Sequence, residues 1–333
     1  MDFAFSEEQE LLRASARDYL ADRWPLTRVV ETADAEPRFD ATAWKELADL
    51  GWLDPSLGML EHAVLAEETG YGLLTAPWFS SVALALPVLD DELRDTVANG
   101  ERAATLARDG DVQASGDSLT GRSVLVPDVA SVTDAVVVVG DVLYAVDLVA
   151  HPDVVLPLST TDRTRRLGEL RFDATPARRL GVDPARLADV RRQSLALAAC
   201  EAVGVSQRAL DLAAEHTKAR QQFGRVIGTY QGVSHKVADI YVALQLSRSL
   251  AYWAAWAVSE GDEQQDAAVA AAKASATESA VFACENAIQV HGGIGFTWEH
   301  VLHRFYKRAQ WLQSFAGVSR THRARVADAI LAS

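Results

Sequence analysis

Apolar residues in the first hundred positions recur at helical rather than strand spacing. In the first predicted helix, the buried face comprises Leu11, Leu12, Ala16, Tyr19 and Leu20. Ser6 followed by Gln9 has the pattern of a capping box, so we expect this helix to begin just after Ser6. The one-sided burial predicts an N-terminal helical domain over residues 1–100.

Three more helices are predicted in this domain. The first begins at Asp40, ends at Gly51 and buries Trp44, Leu47 and Leu50. The next covers residues 59–69 and stops at the glycines that follow. The last covers residues 80–99 and is broken by Pro87, because proline lacks the amide donor that a helix interior needs.

Between residues 101 and 182 the pattern changes to that of β-strands. Two valine-rich runs, 135–139 and 142–146, are separated by Gly140-Asp141, which is a hairpin signal. Further strands are predicted near residues 119–126, 154–156 and 167–172. No Gly-x-Gly-x-x-Gly follows a strand, which argues against a Rossmann nucleotide site. This segment predicts a small antiparallel β domain, a barrel or a sandwich.

The last part of the chain reads as a helical bundle, the third predicted domain, over residues 183–333. All ten prolines lie at or before Pro184. Asp183 and Pro184 have the pattern of a helix start. The predicted helices cover 184–223, 230–260, 262–291, 298–313 and 320–331. Short connections between long helices predict an antiparallel four-helix bundle, so the expected fold class is α+β, mostly α.

Charge and composition exclude several functions. The net charge of −14 argues against a nucleic-acid-binding surface, which requires a basic face. The N-terminus lacks an apolar signal-peptide core and no run is long enough to span a bilayer, so we expect a cytoplasmic protein. Cys200 and Cys284 are expected to be buried, reduced thiols. No histidine pair has metal-ligand spacing, so no metal site is expected.

Two short blocks carry the candidate chemistry: Arg220-Gln-Gln-Phe-Gly224 and Gln289-Val-His-Gly-Gly-Ile-Gly295. Arg220 offers a planar, permanently charged fork that suits a pyrophosphate. Gly292 and Gly293 would let the backbone approach that anion. Each block alone is also typical of an ordinary helix end, with Gly224 at the C-terminal cap.

The order of domains and the two blocks together resemble the acyl-CoA dehydrogenase family. The resemblance implies bound FAD, an acyl-CoA substrate and an electron-transferring flavoprotein as acceptor. It also implies that the Arg block of one subunit and the Gln-Gly-Gly block of its neighbour hold the same FAD, in an obligate dimer or dimer of dimers. The FAD-binding residues implied are Arg220, Phe223, Gln231, Gln289, Val290, His291, Gly292 and Gly293.

The chain departs from this family where a catalytic base is expected. The reaction requires a carboxylate that removes the substrate α-proton. Its usual position, just before a glycine, is occupied by Ala316, and the minority position in the long bundle helix is Ser194. Glu201, two turns after Ser194, is the local candidate for a relocated base, although a helix-pairing role suits it as well.

A second departure lies in the β domain. Residues 105–111 lack the loop that in the family donates hydrogen bonds to the flavin ring, so that half of FAD is expected to be held by another chain or not at all. Together with the short length, this resembles actinobacterial acyl-CoA dehydrogenase subunits that form α2β2 heterotetramers on bulky, steroid-type CoA thioesters. Basic residues after the second block form either a solvated helix face or phosphate contacts: His300, His303, Arg304, Lys307 and Arg308.

The resemblance therefore implies FAD-dependent α,β-desaturation of an acyl-CoA by a hetero-oligomer in which this chain lacks the usual base. One alternative is a self-sufficient homotetrameric dehydrogenase with a relocated base such as Glu201. Another is a non-redox scaffold that binds a partner subunit.

Overall fold

The computed structural model describes residues 5–332. The expectation about a leader peptide rests partly on residues 1–4, which lie outside the described residues. The α-helices are α1 (Glu7–Arg23), α2 (Leu26–Asp34), α3 (Ala41–Asp49), α4 (Met59–Gly72), α5 (Asp91–Ala98), α6 (Arg186–Ala219), α7 (Gln231–Ser259), α8 (Gln265–His291), α9 (Leu302–Ser314) and α10 (Ser319–Ala332). A π-helical segment, Phe79–Ala85, and a 3-10 turn, Leu86–Val88, precede α5. The predicted fold class, mostly α with small sheets, is confirmed.

The strands are β1 (Ala104–Ala107), β2 (Gln113–Ser115), β3 (Ser118–Pro127), β4 (Asp134–Val139), β5 (Val142–Asp147), β6 (Val155–Pro157), β7 (Leu167–Pro176), β8 (Arg178–Arg179), β9 (Gln221–Gln222) and β10 (Arg225–Val226). They form sheets in the orders β1-β4-β5-β8 and β2-β3-β7-β6, and a hairpin of β9 and β10. The predicted β4–β5 hairpin is present. The sheets are not wholly antiparallel, because β1 pairs with β4 in parallel.

The N-terminal helices begin as predicted. The Ser6 hydroxyl accepts a hydrogen bond from the Gln9 amide at 3.2 Å, and the Gln9 side chain accepts one from the Ser6 amide at 3.1 Å. Asp40 caps α3 through the Ala43 amide. The predictions that Leu11 and Leu50 are buried were wrong, since they are 69% and 40% exposed. Leu50 lies one residue past the end of α3, where helical periodicity no longer directs its side chain.

Helix α2 was not predicted, although Pro25 immediately precedes its first residue and proline is favoured at a helix start. Helix α6 was predicted to reach Phe223 but ends at Ala219. The chain instead turns at Phe223 and Gly224, both with positive φ (53° and 80°), and forms the β9–β10 hairpin. Two consecutive residues with positive φ are typical of a tight hairpin turn, which a helix cannot accommodate.

The described residues form two compact units. One comprises residues 5–30, 58–74 and 195–332, and the other comprises residues 31–57 and 75–194. The three-domain division predicted from composition stays a prediction beside this two-unit arrangement. In the first unit, α8 packs against α7, α9 and α10. No helix in residues 5–332 is long and apolar enough to span a membrane.

Helices α4 and α6 cross at very close range within the first unit. A Cβ placed on Gly70 would lie 2.2 Å from the Glu201 carbonyl oxygen, and one on Gly204 would lie 1.9 Å from the Glu67 carbonyl oxygen. Real Cβ atoms do not approach carbonyl oxygens so closely, so only glycine permits this crossing. The contact fixes the position of Glu201 relative to α4.

Candidate functional site

The two sequence blocks meet within one chain. Arg220 follows α6, and its amide donates a hydrogen bond to the His216 carbonyl at 2.9 Å. The His216 ring stacks on His291, the last residue of α8, with ring centroids 4.2 Å apart and planes 26° apart. The resemblance implies that the two blocks hold one FAD from different subunits, which stays a prediction; within this chain they are linked by the His216–His291 stack.

A third imidazole completes a histidine cluster of His216, His291 and His300. The His300 ring lies 4.3 Å from that of His291. Burial, followed by repulsion from His291 and His216, lowers the pKa of His300 to about 4. Burial, His291 and Arg220 lower the pKa of His216. Burial also lowers the pKa of His291, although its Nδ1–H donates to the Ala287 carbonyl at 2.7 Å. All three rings are therefore neutral near pH 7.

Three predicted cofactor-binding side chains are exposed and available. Arg220, Gln231 and Gln289 form no ion pair and no side-chain hydrogen bond with any other residue between 5 and 332. An unpaired guanidinium beside neutral imidazoles is well suited to an incoming anion, because no local carboxylate competes for it. These side chains therefore fit the phosphate and polar groups of a dinucleotide.

The glycines of the second block differ in whether backbone conformation or close packing favours glycine at each position. Gly292 has φ 64° and ψ −137°, a conformation that strongly favours glycine. A Cβ on Gly292 or Gly293 would meet nothing within 4 Å, so open space adjoins this backbone. Gly295 has a packing role instead, since its Cβ would lie 2.5 Å from the Ile288 carbonyl oxygen. The open face at 292–293 fits the approach of a bulky anion.

The remaining predicted cofactor residues are placed differently. Phe223 is 92% exposed at the tip of the β9–β10 hairpin. The Tyr230 hydroxyl donates to the Gln222 carbonyl at 3.1 Å and supports this hairpin. Val290 and His291 are each 8% exposed.

The usual base position lies in the loop between α9 and α10. Ala316 is exposed and has φ 53°, unusual for a residue other than glycine. The carbonyl of the next residue, Gly317, accepts hydrogen bonds from His322 Nε2 at 3.1 Å and from Lys273 Nζ at 3.4 Å. Both donor side chains are fully buried. The loop is thus firmly held although it carries no carboxylate.

Glu201, the candidate relocated base, is 1% exposed and accepts a hydrogen bond from Arg308 at 2.5 Å. A carboxylate held by a buried arginine is stabilised in its charged form, which suits helix pairing. The Ser194 hydroxyl donates to the Arg191 carbonyl of its own helix. The basic residues after the second block are not a solvated face, because Arg304 and Arg308 are buried.

In the β-rich unit, the Thr105 hydroxyl is already used in a hydrogen bond within the protein. Its hydroxyl is buried and donates to the Pro127 carbonyl at 2.7 Å. This agrees with the absence, in residues 105–111, of the loop that donates to the flavin ring in the family.

Two features escaped sequence reasoning. Lys273 is fully buried, and among the described residues its amine forms hydrogen bonds only to the carbonyls of Gln313 and Gly317. The sequence did offer a signal, because Lys273 is the single charged residue in the run Ala267-Ala-Val-Ala-Ala-Ala-Lys273-Ala. The histidine cluster had a weaker signal, namely that His216 lies one helical turn before Arg220.

Comparison with known proteins identifies the family. The chain matches the acyl-CoA dehydrogenase N-terminal domain over residues 6–90 and the C-terminal domain over residues 190–331. It is 30% identical to acyl-CoA dehydrogenase FadE27 of Mycobacterium tuberculosis strain ATCC 25618 / H37Rv, covering 83% of this chain and 84% of FadE27. The chain therefore belongs to the acyl-CoA dehydrogenase family.

Further comparisons extend this result. The chain is 30% identical to FadE34 of the same M. tuberculosis strain over 94% of its own length, but it spans only 46% of FadE34. The ChsE4-ChsE5 complex from M. tuberculosis has a TM-score of 0.89 and 26% identity, with full coverage of both chains. The Tcur3481-Tcur3483 steroid ACAD G363A variant has a TM-score of 0.85 and 29% identity, with 98% of each chain covered.

Proposed function

We propose that this chain is the base-lacking subunit of a hetero-oligomeric, FAD-dependent acyl-CoA dehydrogenase that desaturates the α,β bond of a bulky, steroid-type CoA thioester. The observation that carries the proposal is the pairing of an open anion site at Arg220 and Gly292 with alanine at the usual base position. A chain with both features is suited to bind cofactor and unsuited to remove the α-proton alone.

The cofactor assignment rests on chemistry already described. Arg220 would hold the pyrophosphate, and the open backbone at Gly292 and Gly293 would let that group approach. The side-chain amides of Gln231 and Gln289 would form hydrogen bonds with the adenine or ribityl end of FAD. FAD, when bound, supplies the acceptor for the hydride that leaves the substrate β-carbon. The electron acceptor proposed for the reduced flavin is an electron-transferring flavoprotein.

The need for a partner rests on three residues. Ala316 has no group that can accept a proton, and the buried ion pair of Glu201 with Arg308 favours a structural role for that glutamate. The Thr105 hydroxyl already donates a hydrogen bond to the Pro127 carbonyl, so it is not available to the flavin ring. A homologous subunit would supply the carboxylate and the donors to the flavin ring. The similarity of the chain to the ChsE4-ChsE5 complex and to the Tcur3481-Tcur3483 steroid ACAD supports this arrangement by analogy.

The test is the absorption spectrum and mass of the chain purified alone and after co-expression with a homologous subunit. We expect stable flavin only in the complex, at one FAD for each pair of chains. In that complex, Arg220→Ala should lower flavin affinity at least tenfold, an effect of about 1.4 kcal/mol or more for a lost charge-assisted contact. Arg225→Ala is the matched control, because that guanidinium already lies 4.0 Å from the centroid of the Tyr230 ring.

The alternatives give different results. A yellow protein that turns over alone would favour the homotetrameric enzyme with a base such as Glu201. A protein that stays colourless with FAD and with every homologous subunit would favour the non-redox scaffold. If the partner supplies the base, replacing that carboxylate by its amide should abolish turnover and leave flavin content unchanged.

A further inference from the structure

The histidine cluster is unusual because its three imidazoles can each be neutral or positively charged and the nearby Arg220 is positively charged, but none of these groups can carry a negative charge. His216 from α6, His291 from α8 and His300 stack with centroids 4.2 and 4.3 Å apart. Arg220, just past α6, is a further charged group, and its repulsion lowers the pKa of His216. Among residues 5–332, no carboxylate forms an ion pair with any of the three rings. Protonating any ring therefore places a positive charge beside another imidazole, and protonating His216 also places one near Arg220.

We propose that His216, His291, His300 and Arg220 form a proton-linked phosphoanion site, which takes up a proton when it binds a pyrophosphate group. This inference rests on the proposed function, since it adds a pH dependence to the same cofactor site. Two ligands of the proposed reaction carry a pyrophosphate, FAD and the coenzyme A of the substrate. The test below distinguishes them.

The physical argument follows from the charges. In the free protein, burial disfavours the imidazolium form and lowers the pKa of each ring, and repulsion from neighbouring cations adds to this at His216 and His300. A polyanion beside Arg220 supplies the missing negative charge and raises those pKa values. Between the free and the bound pKa, the complex binds more protons than the separated partners. Affinity must then increase as pH falls through that window, by up to tenfold per pH unit for each proton taken up.

The geometry supports binding at this location rather than elsewhere on the chain. Arg220 is exposed and unpaired within the described residues, and His216 lies one turn before it. Gly292 directly follows His291, with open space beside its Cα. A phosphate that approached both Arg220 and the Gly292 backbone would thus lie next to the imidazoles.

The experiment is isothermal titration calorimetry with FAD, and separately with coenzyme A, on the full chain and on its flavin-depleted complex. Each titration is repeated at pH 6, 7 and 8 in buffers of different ionisation enthalpy, which reports the number of protons taken up. We expect affinity to rise from pH 8 to pH 6 with net proton uptake for one of the ligands. In His216→Gln and His300→Gln, the uptake should fall, whereas His151→Gln, outside the cluster, should retain it.

The outcomes separate the two claims. Proton uptake with FAD, or with coenzyme A alone, supports the site and identifies its ligand. Tight FAD binding with no proton uptake at any pH overturns the inference and leaves the proposed function standing. Absence of FAD and coenzyme A binding to both chain and complex overturns both. The wild-type measurement decides the matter even where a variant does not fold.

Discussion

The Glu201 carboxylate and the Arg308 guanidinium form an ion pair of 2.5 Å in which each side chain is only 1% exposed. Arg308 also donates to the Leu74 carbonyl at 3.3 Å, so it joins α9 both to α6 and to the end of α4. A buried ion pair contributes little relative to apolar residues, but removing one partner leaves an uncompensated charge. The pair therefore specifies how these helices meet.

Glu201→Gln should destabilise the protein by about 3–5 kcal/mol, because Arg308 would remain buried and charged without its carboxylate. The free energy of unfolding in urea measures this loss. The double variant Glu201→Leu/Arg308→Met should recover most of it, and Glu215→Gln, exposed on the same helix, serves as control. The catalytic alternative predicts a different result, in which Glu201→Gln keeps wild-type stability and loses turnover.

Gly204→Ala should destabilise the α4–α6 crossing. Its Cβ would lie 1.9 Å from the Glu67 carbonyl oxygen, so the helices must separate. Overpacking costs about 1–3 kcal/mol, more than the gain of about 1 kcal/mol that alanine brings to a helix. Gly70→Ala should behave alike. Gly232→Ala in α7, where a Cβ meets nothing within 4 Å, should be neutral or slightly stabilising in the same thermal melts. Equal melting temperatures for all three would contradict the close crossing.

Lys273→Met should change how stability depends on pH. Burial lowers the pKa of Lys273 from 10.5 to about 8. Below that value the folded protein holds a buried charge, and between about pH 8 and 10.5 the unfolded chain binds more protons than the folded one. Wild-type stability should therefore rise relative to Lys273→Met across this window, by about 3 kcal/mol in total.

Urea unfolding at pH 7, 8.5 and 10 measures this difference for Lys273→Met. Lys218→Met, an exposed lysine near the end of α6, should show no such trend. If the difference in unfolding free energy between wild type and Lys273→Met stays constant with pH, the pKa of the Lys273 amine is not lowered in the folded protein. Faster hydrogen exchange at residues 314–318 in Lys273→Met would show that the amine holds the Ala316 loop.

Gly292→Ala and Gly293→Ala should separate backbone strain from ligand approach. Gly292 has φ 64°, so alanine there should cost about 1–3 kcal/mol in stability. Gly293 does not have a positive φ, and its Cβ would enter open space, so Gly293→Ala should fold normally. If FAD approaches this backbone, Gly293→Ala lowers flavin affinity at least tenfold without changing the melting temperature. Unchanged affinity would place the cofactor elsewhere.

Several local features were predictable because they depend on residues adjacent in sequence. The Ser6–Gln9 capping box, the Asp40 cap of α3 and the β4–β5 hairpin at Gly140 are set by hydrogen bonds and φ angles within a few positions. The same short range explains the errors. Leu50 fits the helical period, but α3 had already ended at Asp49. The predicted end of α6 at Phe223 was wrong because the chain forms a hairpin turn there, and the helix ends at Ala219.

The family, the mostly helical class and the absence of a carboxylate at position 316 follow from the order of residues alone. Which distant side chains meet depends on the folded chain: His216 with His291, Glu201 with Arg308, and Lys273 with the Gly317 carbonyl. These contacts depend on how closely helices cross, and the α4–α6 crossing is set by the absence of a Cβ at two glycines. A one-dimensional pattern specifies which face of a helix is apolar, but not which residue of a neighbouring helix lies opposite it.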